Sequence, residues 1–263
     1  MDSYIFDFIN KNISNFLIIF TRLSGLFLIT PIFGRRNIPV YTKLGFAFFM
    51  SFIALPMLSD FKMEDNLILY ALILIKEFLI GLTIGFITFV SFSSIYLAGQ
   101  FLDLQMGFGI VNILDFQNNF QVPLLANFLY IMAILIYFIT NGHYYILKAI
   151  IDSFKYIPVG YFVVNDNLMH SISQSFINMF VIGFKISIPV LLVTLLSDVV
   201  MGILSRFIPQ LNVFMMGIPF KIVIGIIVLF LTLPVYLIIL DVIFNGMHRE
   251  MFIFIKAIYK GGL

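Results

Sequence analysis

The sequence predicts an all-α, polytopic membrane protein built of long, kinked helical hairpins. Three observations carry that prediction. Hydrophobic residues fill 62% of the 263 positions and charged residues only 11%, where a soluble domain carries about 25% charged. Mean hydropathy is +1.10. The apolar residues come in runs near or beyond the ~20 residues a helix needs to cross a ~30 Å hydrocarbon core. They lack the period-2 alternation of a membrane β-barrel. A chain so poor in polar side chains cannot coat a soluble core, so lipid or other apolar protein must cover it.

The runs follow one another in order. The first spans 13–33 and is interrupted by Arg22. The second, 44–58, is short for a crossing. The third, 67–104, carries the pair Lys76-Glu77 near its start. The fourth, 122–140, and the sixth, 222–240, are uncharged. The fifth, 172–204, holds Lys185, Pro189 and Asp198, and a seventh, amphipathic helix covers 241–260. Breaks are predicted at Gly34 to Pro39, Ser59 to Asn66, Gln105 to Gln121, Pro158 to Gly160, Ile208 to Asn212 and Gly217-Ile218-Pro219, with Asn141-Gly142-His143 as a helix end and Asn165 in the cap of the next helix. No internal repeat stands out, so the chain reads as a single domain over 1–263. The acidic start, with Asp2 and Asp7, is unlike a cleavable leader.

Composition also narrows function. A net charge of +2 without clustered Lys and Arg argues against a nucleic-acid partner. The absence of Cys removes disulfides and thiol catalysis. His143, His170 and His248 are far apart in sequence and read as helix-end residues. No nucleophile–base pattern and no metal-ligand spacing appears, so neither an enzyme nor a cofactor or metal site is expected. With no Trp, the Tyr residues must supply any interfacial aromatic belt.

Charges in apolar segments need partners, because hydrocarbon charges each about 2.5–3.5 kcal/mol for them. Arg22, Lys76, Glu77, Lys185, Asp198, Arg206, Lys221 and Asp241 are in this position. Interhelical pairing or snorkelling is the plainer reading, and an ion or proton pathway the sharper one. Asp198 is the one fair relay candidate, with Arg206 and Lys185 available to neutralise it. Basic clusters at Arg35, Arg36 and Lys43 and at Arg249, Lys256 and Lys260 both favour the cytoplasm. Six simple crossings would put them on opposite sides, which hints that some helices are shielded by partner subunits.

Two local features stand out. Gly81 and Gly85 form a G-x-x-x-G face, prolonged by Ala98-Gly99, that permits close helix packing. The segment 105–121 combines glycines with bulky apolar groups: Gln105, Met106, Gly107, Phe108, Gly109, Ile110, Val111 and Ile113. Irregular backbone at membrane depth survives only inside protein or along an aqueous cavity. The loop is therefore either a pore stopper that excludes water or a surface loop dipping into the headgroups.

Four blocks of residues resemble the FliR family of flagellar export-gate subunits and its virulence-type homologues in type III secretion. The first is Thr21-Arg22-Leu23 through Pro31-Ile32-Phe33, then Arg36-Asn37-Ile38-Pro39. The second is Gly99-Gln100-Phe101-Leu102-Asp103-Leu104-Gln105-Met106-Gly107. The third is Asn141-Gly142-His143 with Ser153-Phe154 and Pro158-Val159-Gly160. The fourth is Arg206-Phe207-Ile208-Pro209-Gln210-Leu211-Asn212, then Gly217-Ile218-Pro219 and Lys221. Order, spacing and spread over nearly the whole chain carry the match.

The resemblance implies a non-catalytic subunit of a helical export-gate assembly in the bacterial inner membrane, within the flagellar basal body. Its implied partners are FliP-type and FliQ-type subunits, FlhB, FlhA and the exported flagellar proteins. It also implies that 105–121 is a channel plug, although the family's common aromatics are Ile110 and Ile113 here, and Asp115 is followed by Phe116 where the family often has Pro. Virulence-type cargo, a small-solute secondary transporter with midplane site, and a passive membrane scaffold are the rival readings.

Overall fold

The computed structural model describes residues 2–33, 38–57, 66–109, 123–208 and 213–259, with side chains from residue 12 onward except at 57, 213 and 214. Every regular element among them is helical. In order they are α1 (Asp2–Ile29), α2 (Val40–Ala54) with a 3-10 turn at Leu55–Met57, α3 (Leu67–Met106), α4 (Leu124–Ile139), α5 (Gly142–Tyr156), α6 (Asp166–Phe207) and α7 (Val213–Tyr259). Four of these, α1, α3, α6 and α7, are long and apolar enough to cross a membrane; α4 and α5 taken as one broken span would make five. The chain is a polytopic membrane protein.

Helix ends follow local chemistry. Asn66 Oδ1 accepts from Ile68 N at 2.9 Å to start α3, and Asn165 Oδ1 accepts from Leu168 N at 2.8 Å to start α6. Asn141, at φ 56°, turns the chain between α4 and α5. Within the helices, Ser and Thr hydroxyls return to carbonyls one turn back, as in Ser51 to Ala47 O and Ser94 to Ser91 O.

The helices differ from those expected of the sequence in three places. First, α5 is a full helix following Asn141, where only a helix end was expected. Its buried positions, Ile146, Ala149, Ile150 and Ser153, keep helical spacing, but Lys148, Asp152 and Lys155 break the apolar run that a span search relies on. Second, 222–240 and 241–259 form one helix with the predicted break at Gly217-Ile218-Pro219, because α7 runs unbroken through Pro219, Pro234 and Asp241. Proline costs one hydrogen bond, which membrane helices tolerate, and a lone Asp does not end a helix. Third, Gln105 and Met106 belong to the last turn of α3 and not to the loop.

The described residues gather into two compact units. Unit one takes 1–90, 140–175 and 245–263; unit two takes 91–139 and 176–244. In unit one, α1 and α3 approach backbone to backbone at Gly25, Gly81 and Gly85. A Cβ on Gly81 would lie 3.0 Å from Leu26 N, and one on Gly85 3.0 Å from Leu26 O. Phe16, Phe48 and Phe52 interlock α1 with α2 at centroid distances of 4.8–5.1 Å. In unit two the core is Phe92, Tyr137 and Phe244, with rings 4.7–5.7 Å apart. Tyr236 Oη donates to Leu129 O at 2.9 Å, satisfying a buried hydroxyl.

Candidate functional site

Among the described residues each unit has an ion pair that joins different helices, and several motif residues meet there. In unit one the centre is Arg22, wholly buried on α1. Its Nε donates to Glu77 Oε2 at 2.6 Å, and Glu77 is equally buried. Nη1 donates to Ser153 Oγ at 2.9 Å, and the guanidinium lies 3.8 Å over the Phe154 ring. The other Glu77 oxygen accepts from the backbone N–H of Gly160 at 2.8 Å. One ion pair thus ties α1, α3, α5 and the turn after α5 together. Gly160 holds φ 76°, and a Cβ there would sit 3.2 Å from Ile73 Cγ1, so both conformation and space call for glycine. Pro158 opens that turn, accepting from Tyr161 N at 3.1 Å. Lys76, next to Glu77 in sequence, points outward and is exposed.

In unit two the centre lies where α3 ends. Asp198 on α6 forms an ion pair with Lys221 on α7, and its other oxygen accepts from Gln105 Nε2 at 3.2 Å. The pair is partly open, with side chains 40% and 22% exposed. Met106 is fully buried in the notch left by Gly225, where a Cβ would collide with its side chain. Gly107 ends the helix at φ 88°, its N–H reaching Leu104 O at 3.3 Å and its α-carbon facing Ile218. Phe108 and Gly109 follow, both half-buried. Ile110, Val111 and Ile113 lie outside the described residues. One turn before Gly107, Asp103 accepts from Leu125 N at 2.9 Å and Ala126 N at 3.1 Å, capping α4 from α3. Gly99 lets this happen, since a Cβ there would overlap Ala126. The last turn of α3 is therefore held from three sides, and the arrangement can anchor a loop at both ends.

Asp198 was expected to pair with Arg206 or Lys185, and it pairs with Lys221 instead. Arg206 lies two turns on, about 12 Å along the axis, and Lys185 stands on the opposite face of α6. Arg22 and Glu77, two separate charges in apolar runs of the sequence, are joined here. Two opposite charges in neighbouring apolar helices were the available signal.

The other motif residues have local roles or no described structure. Pro31 is buried in the turn after α1, and Pro39 precedes α2, accepting from Thr42 N at 3.0 Å. Gly142 and His143 open α5. His170 lies in the second turn of α6, whereas His248 lies inside α7 and stacks on Tyr145 at 4.5 Å, so it is not a helix-end residue. Arg206 is exposed in the last turn of α6, and Gly217 and Pro219 lie in the first two turns of α7. Pro209, Gln210 and Asn212 lie outside the described residues.

Comparison with known proteins agrees with this motif pattern. The model of a family described as bacterial export proteins, family 1, matches residues 13–247. A flagellar biosynthetic protein FliR of Bacillus subtilis is 36% identical over 236 residues, covering 88% of this chain and 90% of its own. The Aquifex aeolicus FliR is 30% identical, covering 92% and 93%, and the Escherichia coli FliR 28% identical, covering 78% of each. Family model, relatives and helical membrane architecture coincide, and the chain belongs to family 1 of the bacterial export proteins as a FliR-type export-gate subunit.

Proposed function

We propose that the chain, over 1–263, serves as one wall-and-plug domain of the flagellar type III export gate, assembled in the inner membrane with FliP-type and FliQ-type subunits and non-catalytic in itself. One observation carries the reading. On α6 large apolar side chains are exposed from Phe176 through Phe180, Phe184, Leu192, Leu196, Val200 and Ile203 to Phe207. At 1.5 Å per residue that stretch rises about 47 Å, against a hydrocarbon core of ~30 Å. Lipid could cover it only at a tilt of about 50°, outside the 0–40° range of membrane helices. Companion polypeptides are the remaining cover. Lys185, exposed amid this surface, would then face a carboxylate on a companion.

The segment from Phe108 onward acts as the plug, and the Gln105–Asp198–Lys221 centre holds its root. Apolar side chains exclude water and ions at rest. An unfolded flagellar protein displaces them at small cost, because its own apolar groups replace the contacts. FlhB and FlhA act on this gate from the cytoplasmic side. A five-span count supports that orientation, since four crossings separate the basic cluster after α1 from the one at the C-terminus and place both on the cytoplasmic face. The flagellar names of the relatives favour flagellar over virulence-type cargo.

Deleting 108–113 tests the plug. The assembled gate reconstituted in a planar bilayer should conduct ions at rest, where the wild-type gate does not. Resting conductance equal to wild type would reject the plug assignment.

A further inference from the structure

A second feature lies in unit one, away from the plug root. Between α5 and the C-terminal part of α7 there is a groove of about 250 Å³, lined by Tyr145, Lys148, Asn245, His248, Arg249 and Phe252. Its charged lining is of one sign. Lys148 and Arg249 come from different helices, and neither forms an ion pair with a described residue. The nearest carboxylate on α5, Asp152, is held by Lys155 at 3.0 Å. Glu250 is about 100° round the helix from Arg249 and does not line the groove. The Tyr145 hydroxyl, the Asn245 amide and the imidazole of His248, stacked on Tyr145, add hydrogen-bonding groups. Exposed apolar side chains flank it: Tyr144, Phe252 and Ile253.

Its position along α7 identifies the occupant. Asn245 and Arg249 follow Leu240, the end of the uncharged run, by about 8 and 13 Å along the helix axis. The headgroup layer is about 5–8 Å deep on each side of the hydrocarbon. The long Arg249 and Lys148 side chains reach back into that layer. Two convergent cations at this depth match the phosphodiester of a lipid headgroup, and basic pockets between membrane helices take such headgroups. We infer that this groove binds the phosphate of an anionic phospholipid, with Lys148 and Arg249 as its cationic partners.

The test uses the gate complex containing the full-length chain, in phosphatidylcholine nanodiscs doped with phosphatidylglycerol. Retained lipid is counted by native mass spectrometry. The wild type should retain phosphatidylglycerol in preference to phosphatidylcholine. Lys148→Gln with Arg249→Gln should cut that preference about 25-fold, at about fivefold per lost cation. Lys256→Gln removes an exposed cation two turns beyond Arg249 on α7, outside the groove lining, and should leave the preference intact, which separates the groove from general surface charge. An undiminished preference in the double variant, or an equal loss in Lys256→Gln, would overturn the inference. Complete displacement of the lipid by millimolar inorganic phosphate would overturn it too, by assigning the groove to a soluble anion.

Discussion

The two ionic centres differ most in what surrounds them. Arg22 and Glu77 are both fully buried, and every oxygen of Glu77 is engaged. Asp198 and Lys221 pair at a partly open site, with 40% and 22% of their side chains exposed. Charges taken out of water depend wholly on each other, so losing one partner from a buried pair costs about 3–5 kcal/mol. An open pair is worth about 0–1 kcal/mol. The first arrangement suits a joint that must never move. The second suits a latch that holds an element in place and still lets it go.

Four measurements can break or sharpen that contrast. The largest effect should come from Glu77→Ala, which strands Arg22 and frees the Gly160 N–H. We expect a loss of about 3–5 kcal/mol, seen as a sharp fall in the unfolding midpoint of the purified protein in detergent. Replacing Arg22 and Glu77 together by Met should restore most of it. If Glu77→Ala is no worse than Asp198→Ala, the contrast is wrong. Next comes Gly99→Val, which forces α4 away from α3; about 1–3 kcal/mol is expected for overpacking, with Asp103→Ala costing about 1 kcal/mol through the lost cap. Gly160→Ala follows, at about 1–2 kcal/mol for an L-residue at positive φ, read in the same unfolding experiment. The smallest effect on stability belongs to the Asp198–Lys221 pair. A double-mutant cycle should give a coupling below about 1 kcal/mol, while Asp198→Ala raises resting conductance of the reconstituted gate. A coupling several-fold larger would make this centre a second rigid joint.

Much of the fold was legible because lipid allows few solutions. The ends of α3 and α6 were marked by Asn66 and Asn165, and the long apolar runs could be nothing but helices. The failures have physical causes. Helix α5 was hidden because Lys148, Asp152 and Lys155 face outward while Ile146, Ala149 and Ile150 face in, a soluble-style amphipathic pattern inside a membrane chain. Helix α7 was cut at Gly217-Ile218-Pro219 and at Asp241 because proline and charge were read as breakers, and here neither breaks. The motif residues were visible, but their geometry was not. Nothing in the sequence says that Arg22 meets Glu77 across 55 positions, or that Asp198 turns to Lys221 on the next helix. Long-range pairing of this kind is set by how helices are laid side by side, which the order of residues along one helix does not encode.

The trans cap that Asp103 places on Leu125 and Ala126 has one more consequence. It brings the far end of the intervening segment back to within a turn of where that segment leaves α3. Both mooring points are thus fastened by residues outside the segment, and the entropic penalty of closing the ring, which grows only slowly with ring size, falls on the scaffold. What lies between can lengthen, shorten or change its side chains with little strain on either helix. Evolution can therefore alter that segment without redesigning the frame that carries it.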